Sequence, residues 1–154
     1  MLSSLPYLEL VSSIYGIIFI GFGILWFINI PKSLSFFELP YPKIISSKGS
    51  AKSSAEVKQL VDVFAVVYGI RDVYMGVSII IAALFGTRQV LGWIIVAAAS
   101  VAATDGAACF FIVGKGAGNH WSYAPVMAVL GGVLLGFFDW VPVENLKLFG
   151  QDEL

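Results

Sequence analysis

Leu60-Val61-Asp62-Val63-Phe64-Ala65-Val66-Val67-Tyr68-Gly69-Ile70-Arg71-Asp72-Val73-Tyr74-Met75-Gly76 decides the fold. The run stays apolar to residue 86 and does not alternate apolar with polar residues, so it reads as a helix and not as a strand of a lumen-lined barrel. It exceeds the roughly 20 residues needed to cross about 30 Å of hydrocarbon. Arg71 and Asp72 fall some 11 or 12 residues in, about 17 Å along a helix and so near the bilayer middle. A lone charge there costs at least about 2.5–3.5 kcal/mol, so these two side chains require partners, water or a polar interior.

Three further apolar runs, at 11–30, 90–113 and 121–140, predict an all-α four-helix transmembrane bundle forming a single membrane domain over 1–154. The composition agrees: 58% of residues are hydrophobic and 12% charged, against about 25% charged in a soluble domain. Mean hydropathy is +0.89. The run at 11–30 has no Lys or Arg before Lys32, is long, and is followed by no small-residue cleavage site, so it reads as a retained span and not a secretory signal. A net charge of −1 supplies no basic field, which argues against nucleic acid as a partner. Cys109 is the single cysteine and lies in an apolar run, which excludes an intramolecular disulfide and a cysteine metal site.

The stretch 31–59, rich in Ser, Pro and Lys, is the one long loop, and Ser53 or Ser54 is expected to cap a wet first turn carrying Lys58. Thr87-Arg88-Gln89 is a tight turn that makes the second and third spans antiparallel neighbours. The third connection, 114–120, is Gly-rich but has neither the P-loop pattern nor a preceding strand. Loops one and three carry Lys32, Lys43, Lys48, Lys52, Lys58 and Lys115, whereas the other side offers Arg88 and Lys147. The positive-inside bias then places those two loops in the cytosol and both termini in the lumen. The closing Gln151-Asp152-Glu153-Leu154 is akin to a KDEL-type retrieval signal with a nonstandard first residue, pointing to the endoplasmic reticulum.

Neighbouring residues on a helix point about 100° apart, so Arg71 is expected to find its carboxylate on another span. Asp105, about eight residues before the cytosolic end of the third span, lies within about one turn of Arg71 in depth. Small residues on the third span (Ala97, Ala98, Ala99, Ala102, Ala103, Gly106) and on the second (Gly69, Gly76, Ala83) are expected to let the two approach closely, and Gly132 and Gly136 to do the same for the fourth. The predicted centre is Asp105, Asp72, Arg71 and Tyr74 as chemical groups, with Tyr68, Asp62 and His120 in contact with substrate. His120 beside Trp121 and Tyr123 equally fits an interfacial role. No HExxH-like ligand spacing or cofactor fingerprint is present, so neither a metal nor a cofactor is expected.

The octapeptide Gly69-Ile70-Arg71-Asp72-Val73-Tyr74-Met75-Gly76, the segment from Arg88 to Gly92, Asp105 and His120 resemble a family of small four-span membrane proteins of fungi and bacteria with no assigned activity. That family carries G-x-R-D-x-x-x-G in span two, an Asp in span three and a His near the start of span four. The likeness covers roughly residues 57–138. Fungal members accompany secondary-metabolite gene clusters, which implies lipophilic small molecules as substrates.

Two functional readings follow. In one, the chain is a membrane-embedded acid/base enzyme acting on a lipophilic polyketide or terpenoid by cyclisation, isomerisation or epoxide opening, with one aspartic acid kept neutral by burial and a second held ionised by Arg71. An Asp/Arg/Asp set is similar in kind to that of limonene epoxide hydrolases, a likeness of chemistry and not of fold. In the other, the Arg/Asp pair is structural, and the chain is an assembly or accessory protein whose Gly/Ala faces meet a homo-oligomeric or membrane-protein partner. A transporter finds less support, because four spans show no inverted repeat and no helix broken by proline at midplane.

Overall fold

The computed structural model describes residues 1–43 and 51–140, apart from the side chains of 51 and 52. The loop serines at 46–50 and the retrieval-like tail lie outside the described residues. Among the described residues the chain is entirely helical. After a 3-10 turn at Leu2–Ser4 come α1 (Leu8–Ile28), α2 (Ile30–Ser35), α3 (Ala51–Phe85), α4 (Arg88–Ala108, prolonged by a π turn at Cys109–Val113), α5 (Gly118–Trp121) and α6 (Ala124–Leu134). Three helices are long and apolar enough to cross a membrane, Leu8–Ile28, Ser53–Phe85 and Arg88–Val113, which marks a multi-pass membrane protein. No more than 33% of each apolar window is buried within the fold, so most of the Ile, Val, Leu and Phe side chains face outward, as lipid contact requires.

The stretch at 121–140 does not form the continuous fourth span that its apolar length predicts. Pro125 sits in the first turn of α6, and the helix closes after 11 residues, about 16 Å. Its end is a Schellman motif: Gly136 takes φ +81, Phe137 N–H reaches Gly132 O at 3.0 Å, and Gly136 N–H reaches Val133 O at 3.0 Å. Gly136 is therefore a stop and not part of a packing face.

α3 begins earlier than expected, so Ser53 and Ser54 lie inside the helix instead of capping it. Its 35 residues make about 52 Å, longer than a bilayer core.

The small-residue faces also choose different partners from those expected. α3 packs chiefly on α1, and α4 on α6, while α3 and α4 meet over a shorter stretch. Two glycine pairs, each seven residues apart on its own helix, bring the backbones of α1 and α3 together: Gly16 opposite Gly76 and Gly23 opposite Gly69. A Cβ on Gly23 would stand 2.6 Å from Gly69 O and 2.7 Å from Val73 N, a clash that only glycine avoids. Ile79, Leu91, Ile95 and Met127, all fully enclosed, fill the space between the two helix pairs.

The two ends of the fold are tied differently. At one end Arg88 Nε meets Glu9 Oε1 at 2.7 Å, and Ser3 N–H donates to Asp139 Oδ1 at 2.8 Å, joining the N-terminal turn, the α3–α4 link and the end of α6. At the other end loops one and three meet: Asn119 Nδ2 donates to Phe36 O at 2.9 Å, and Lys115 lies 3.7 Å from Glu38.

Candidate functional site

Tyr68, Arg71 and Asp72 follow one another at i, i+3 and i+4 on α3, so they share the face turned towards the end of α4. Asp105 comes from α4, about one turn before that helix passes into its π turn. Arg71 joins them. Its Nη2 lies 2.9 Å from Asp105 Oδ2 and 3.0 Å from Asp72 Oδ1, its Nη1 3.2 Å from Asp105 Oδ1, and its Nε 3.2 Å from Asp72 Oδ1. Tyr68 donates its hydroxyl to Asp105 Oδ1, and its ring lies 3.5 Å beneath the guanidinium, a cation–π contact that adds to the ion pair.

Arg71 thus meets the carboxylate expected on another span and, in addition, that of its chain neighbour Asp72. The two Cβ vectors do diverge, but the guanidinium stands at the end of four rotatable bonds and folds back, so Asp72 and Asp105 flank it from two sides. Asp72 is 6% exposed, and the Asp105 side chain 13%. Asp105 accepts on both oxygens, whereas Asp72 accepts on Oδ1 alone.

His120 reaches the same place from α5. Trp121 anchors that turn by donating Nε1–H to Ala103 O at 3.1 Å, with its indole lying where a Cβ on Gly106 would be. The imidazole is 6% exposed, packs at 4.5 Å on the Phe37 ring, and has Nδ1 3.4 Å from the Tyr123 hydroxyl. Its Nε2 is enclosed without a well-formed hydrogen bond among the described residues, an exceptional state for a buried nitrogen, although the Phe36 carbonyl lies close enough to the ring to favour its protonated form. Burial holds the imidazole below its usual pKa against the pull of Asp105, so it is neutral at pH 7.

These groups line one partly open cavity of about 50 Å³. Tyr68, Arg71, Asp72, Asp105, His120 and Tyr123 form its polar side, and Phe19, Phe22, Trp26 and Phe37 its aromatic side. The volume suits a few water-sized groups, since one water needs roughly 10–15 Å³ on this scale, and falls short of the roughly 300 Å³ at which small-molecule pockets begin.

Of the residues predicted from sequence, Arg71, Asp72, Asp105, Tyr68 and His120 converge here. Two do not. Tyr74 is 69% exposed on the outer side of α3, because the same turn that aims Tyr68 and Asp72 inward carries it round the helix. Asp62 stands more than two turns away and is engaged by Lys58 at 2.6 Å and Tyr41 at 2.5 Å. The remaining lining residues were not predicted, among them Tyr123 and Phe37, which touch His120. Tyr123 had a signal in its i+3 spacing from His120, visible once 118–124 is read as helical turns. Phe37, a loop residue, had none.

No curated protein and no solved structure matches this chain. Residues 16–134 match the model of a family described as Domain of unknown function (DUF4267), a match that takes in all five converging residues, and the chain belongs to that family.

Proposed function

We propose that this chain is a cofactor-independent, membrane-embedded enzyme performing acid/base chemistry on a lipophilic polyketide or terpenoid, of the cyclising, isomerising or epoxide-opening kind. The observation that carries the reading is the buried, unpartnered His120 Nε2 in a cavity that Asp72 and Asp105 also line. A cluster built only to fasten helices satisfies its own polar groups. This one keeps an imidazole nitrogen and one Asp72 oxygen for another molecule.

The division of labour follows from the hydrogen bonds. Asp105, held by Arg71 and Tyr68, is the fixed anion that orients the guanidinium. Asp72 Oδ2 and His120 Nε2 are the two positions where a proton is given or taken, and the cavity of about 50 Å³ admits only the reacting atoms of the substrate, whose bulk stays outside it. The aromatic wall of Phe19, Trp26 and Phe37 excludes water around the developing charge.

In the same reading the stretch 118–140, with α5, α6 and the turns that follow, is a discontinuous fourth crossing, giving a four-helix transmembrane bundle in the endoplasmic reticulum membrane with loops one and three cytosolic. The meeting of the two Lys-bearing loops at one end of the fold supports that orientation.

The test is to express Asp72→Asn and His120→Gln beside the wild type, measuring protein abundance together with the metabolite profile of the producing strain. Abundance within about twofold of wild type with one lipophilic intermediate accumulating supports the enzyme. Abundance and product falling together support the second reading, a non-enzymatic membrane assembly factor, which the four hydrogen bonds of Arg71 across α3 and α4 favour.

A further inference from the structure

α3 and α4 are joined by a very short link, yet they diverge along their length. Between them lies a seam of about 410 Å³, inside the roughly 300–1,000 Å³ typical of small-molecule sites. Its α3 wall is Arg71, Tyr74, Met75 and Ser78; its α4 wall is Ile94, Ala97, Ala98 and Val101. Both walls repeat the same spacing, one stripe on each helix. Ala97 and Ala98 leave the room that larger residues would fill.

Three polar groups of the α3 wall have hydrogen-bonding capacity that the described protein does not use. Arg71 spends four of its five N–H groups on Asp72 and Asp105, and its side chain is 32% exposed. The Tyr74 hydroxyl makes no hydrogen bond among the described residues. Ser78 is more telling. Ser12, Ser13, Ser100 and Thr104 each turn their hydroxyl back to a carbonyl three or four residues earlier, the usual recourse of a hydroxyl in an apolar helix. Ser78, midway along α3, makes no such bond. Acyl chains offer these donors nothing, and unmet polar groups are costly in hydrocarbon.

We propose that the α3–α4 seam is the seat of a lipophilic carbonyl compound that enters sideways from the bilayer. Its hydrocarbon lies on Met75, Ile94 and Val101, and its carbonyl oxygen accepts from Ser78 and Tyr74, which stand about one turn apart on α3. Arg71 and Val101 also line the partly open cavity, so one end of the occupant abuts the charged cluster. That this occupant is also the substrate rests on the enzymatic reading; that it binds does not. Tyr74 thereby regains a role, in binding and outside the acid/base set.

The test is photolabelling of the full-length protein in phosphatidylcholine nanodiscs with a long-chain ketone bearing a diazirine in its tail, with adducts mapped by mass spectrometry. Adducts should concentrate at 71–78 and 94–101, unlabelled ketone should compete, and an alkane of equal length should not. Ala97→Phe fills the seam from its lipid side, outside the packed core, and should cut labelling at least tenfold; Ser78→Ala should cut it several-fold. Adducts spread evenly over the lipid-facing residues, equal competition by the alkane, or a seam shielded by a second copy would each overturn the seat. Asp105→Asn separates the two readings. Labelling retained with conversion lost supports both, seam labelling in a wild type that shows no conversion removes only the enzyme, and conversion by the wild type without seam labelling removes only the seat.

Discussion

Arg71 meets Asp105 at 2.9 Å between Nη2 and Oδ2, and among the described residues this is the ion pair that ties α3 to α4 where the two helices otherwise part. Removing one partner of a buried pair costs about 3–5 kcal/mol. Here the guanidinium is a third exposed and keeps Asp72, so Asp105→Asn should cost about 1–3 kcal/mol. Thermal unfolding in detergent of Asp105→Asn, Arg71→Gln and the double variant should show a coupling of about 0.5–3 kcal/mol. Strictly additive single effects would mean that the contact does not hold the helices.

The neutral, buried His120 makes stability depend on pH in a definite sense. Its folded pKa lies below the unfolded value of about 6.5. On acidification the unfolded chain therefore takes up the proton first, and the folded state loses ground as pH falls below about 6.5. Above that value the contribution is fully present and flat. The melting temperature of the wild type should drop relative to His120→Gln between pH 6.5 and 5, and the two curves should run parallel from pH 7 to 8. Parallel curves throughout would show an imidazole that titrates freely.

What could be read from the sequence was depth; what could not was azimuth. Counting residues from the cytosolic face brought Arg71 and Asp105 within about one turn in depth, and the structure pairs them there. The same counting says nothing about which way a helix faces. Gly69 and Gly76 announced a close-packing face, but the matching pair was Gly16 and Gly23 on α1 and not the alanines of α4. Tyr74 belonged to the right octapeptide and the wrong side of its helix. Gly136 looked like a packing glycine because a left-handed stop and a small-residue contact call for the same amino acid. The direct Arg71–Asp72 contact was missed for a different reason: Cβ direction does not limit a side chain as long as arginine.

The paired glycines lead to a prediction specific to α1 and α3. A side chain at Gly23 would meet both the carbonyl of Gly69 and the backbone nitrogen of Val73, so the helices must separate to admit it. Gly23→Leu should destabilise by at least about 1–3 kcal/mol, the usual cost of overpacking. Gly21, where a Cβ meets nothing within 4 Å, provides the control, and Gly21→Leu should fall within about 0.5 kcal/mol of wild type. Equal unfolding temperatures for the two variants would refute the α1–α3 interface.

Glu38 is the most readily improved residue of the fold. α2 ends in a Schellman motif, with Leu39 N–H reaching Leu34 O at 3.2 Å and Glu38 N–H reaching Ser35 O at 3.1 Å. Glu38 occupies the left-handed position at φ 54, the place where glycine is preferred. The motif matters beyond α2 because it turns Phe37 inward against Tyr68 and His120. A non-glycine residue in this conformation costs about 1–2 kcal/mol. The Lys115 contact that Glu38 makes is long, at 3.7 Å, and largely exposed, so it offsets only about 0–1 kcal/mol. Glu38→Gly should therefore raise stability by about 1 kcal/mol and leave the cavity intact, whereas Glu38→Val should lower it. The pair separates backbone strain from charge, because both variants lose the carboxylate and only one suits the left-handed turn. If both lower the unfolding temperature alike, the Lys115 contact and not the backbone is what Glu38 contributes.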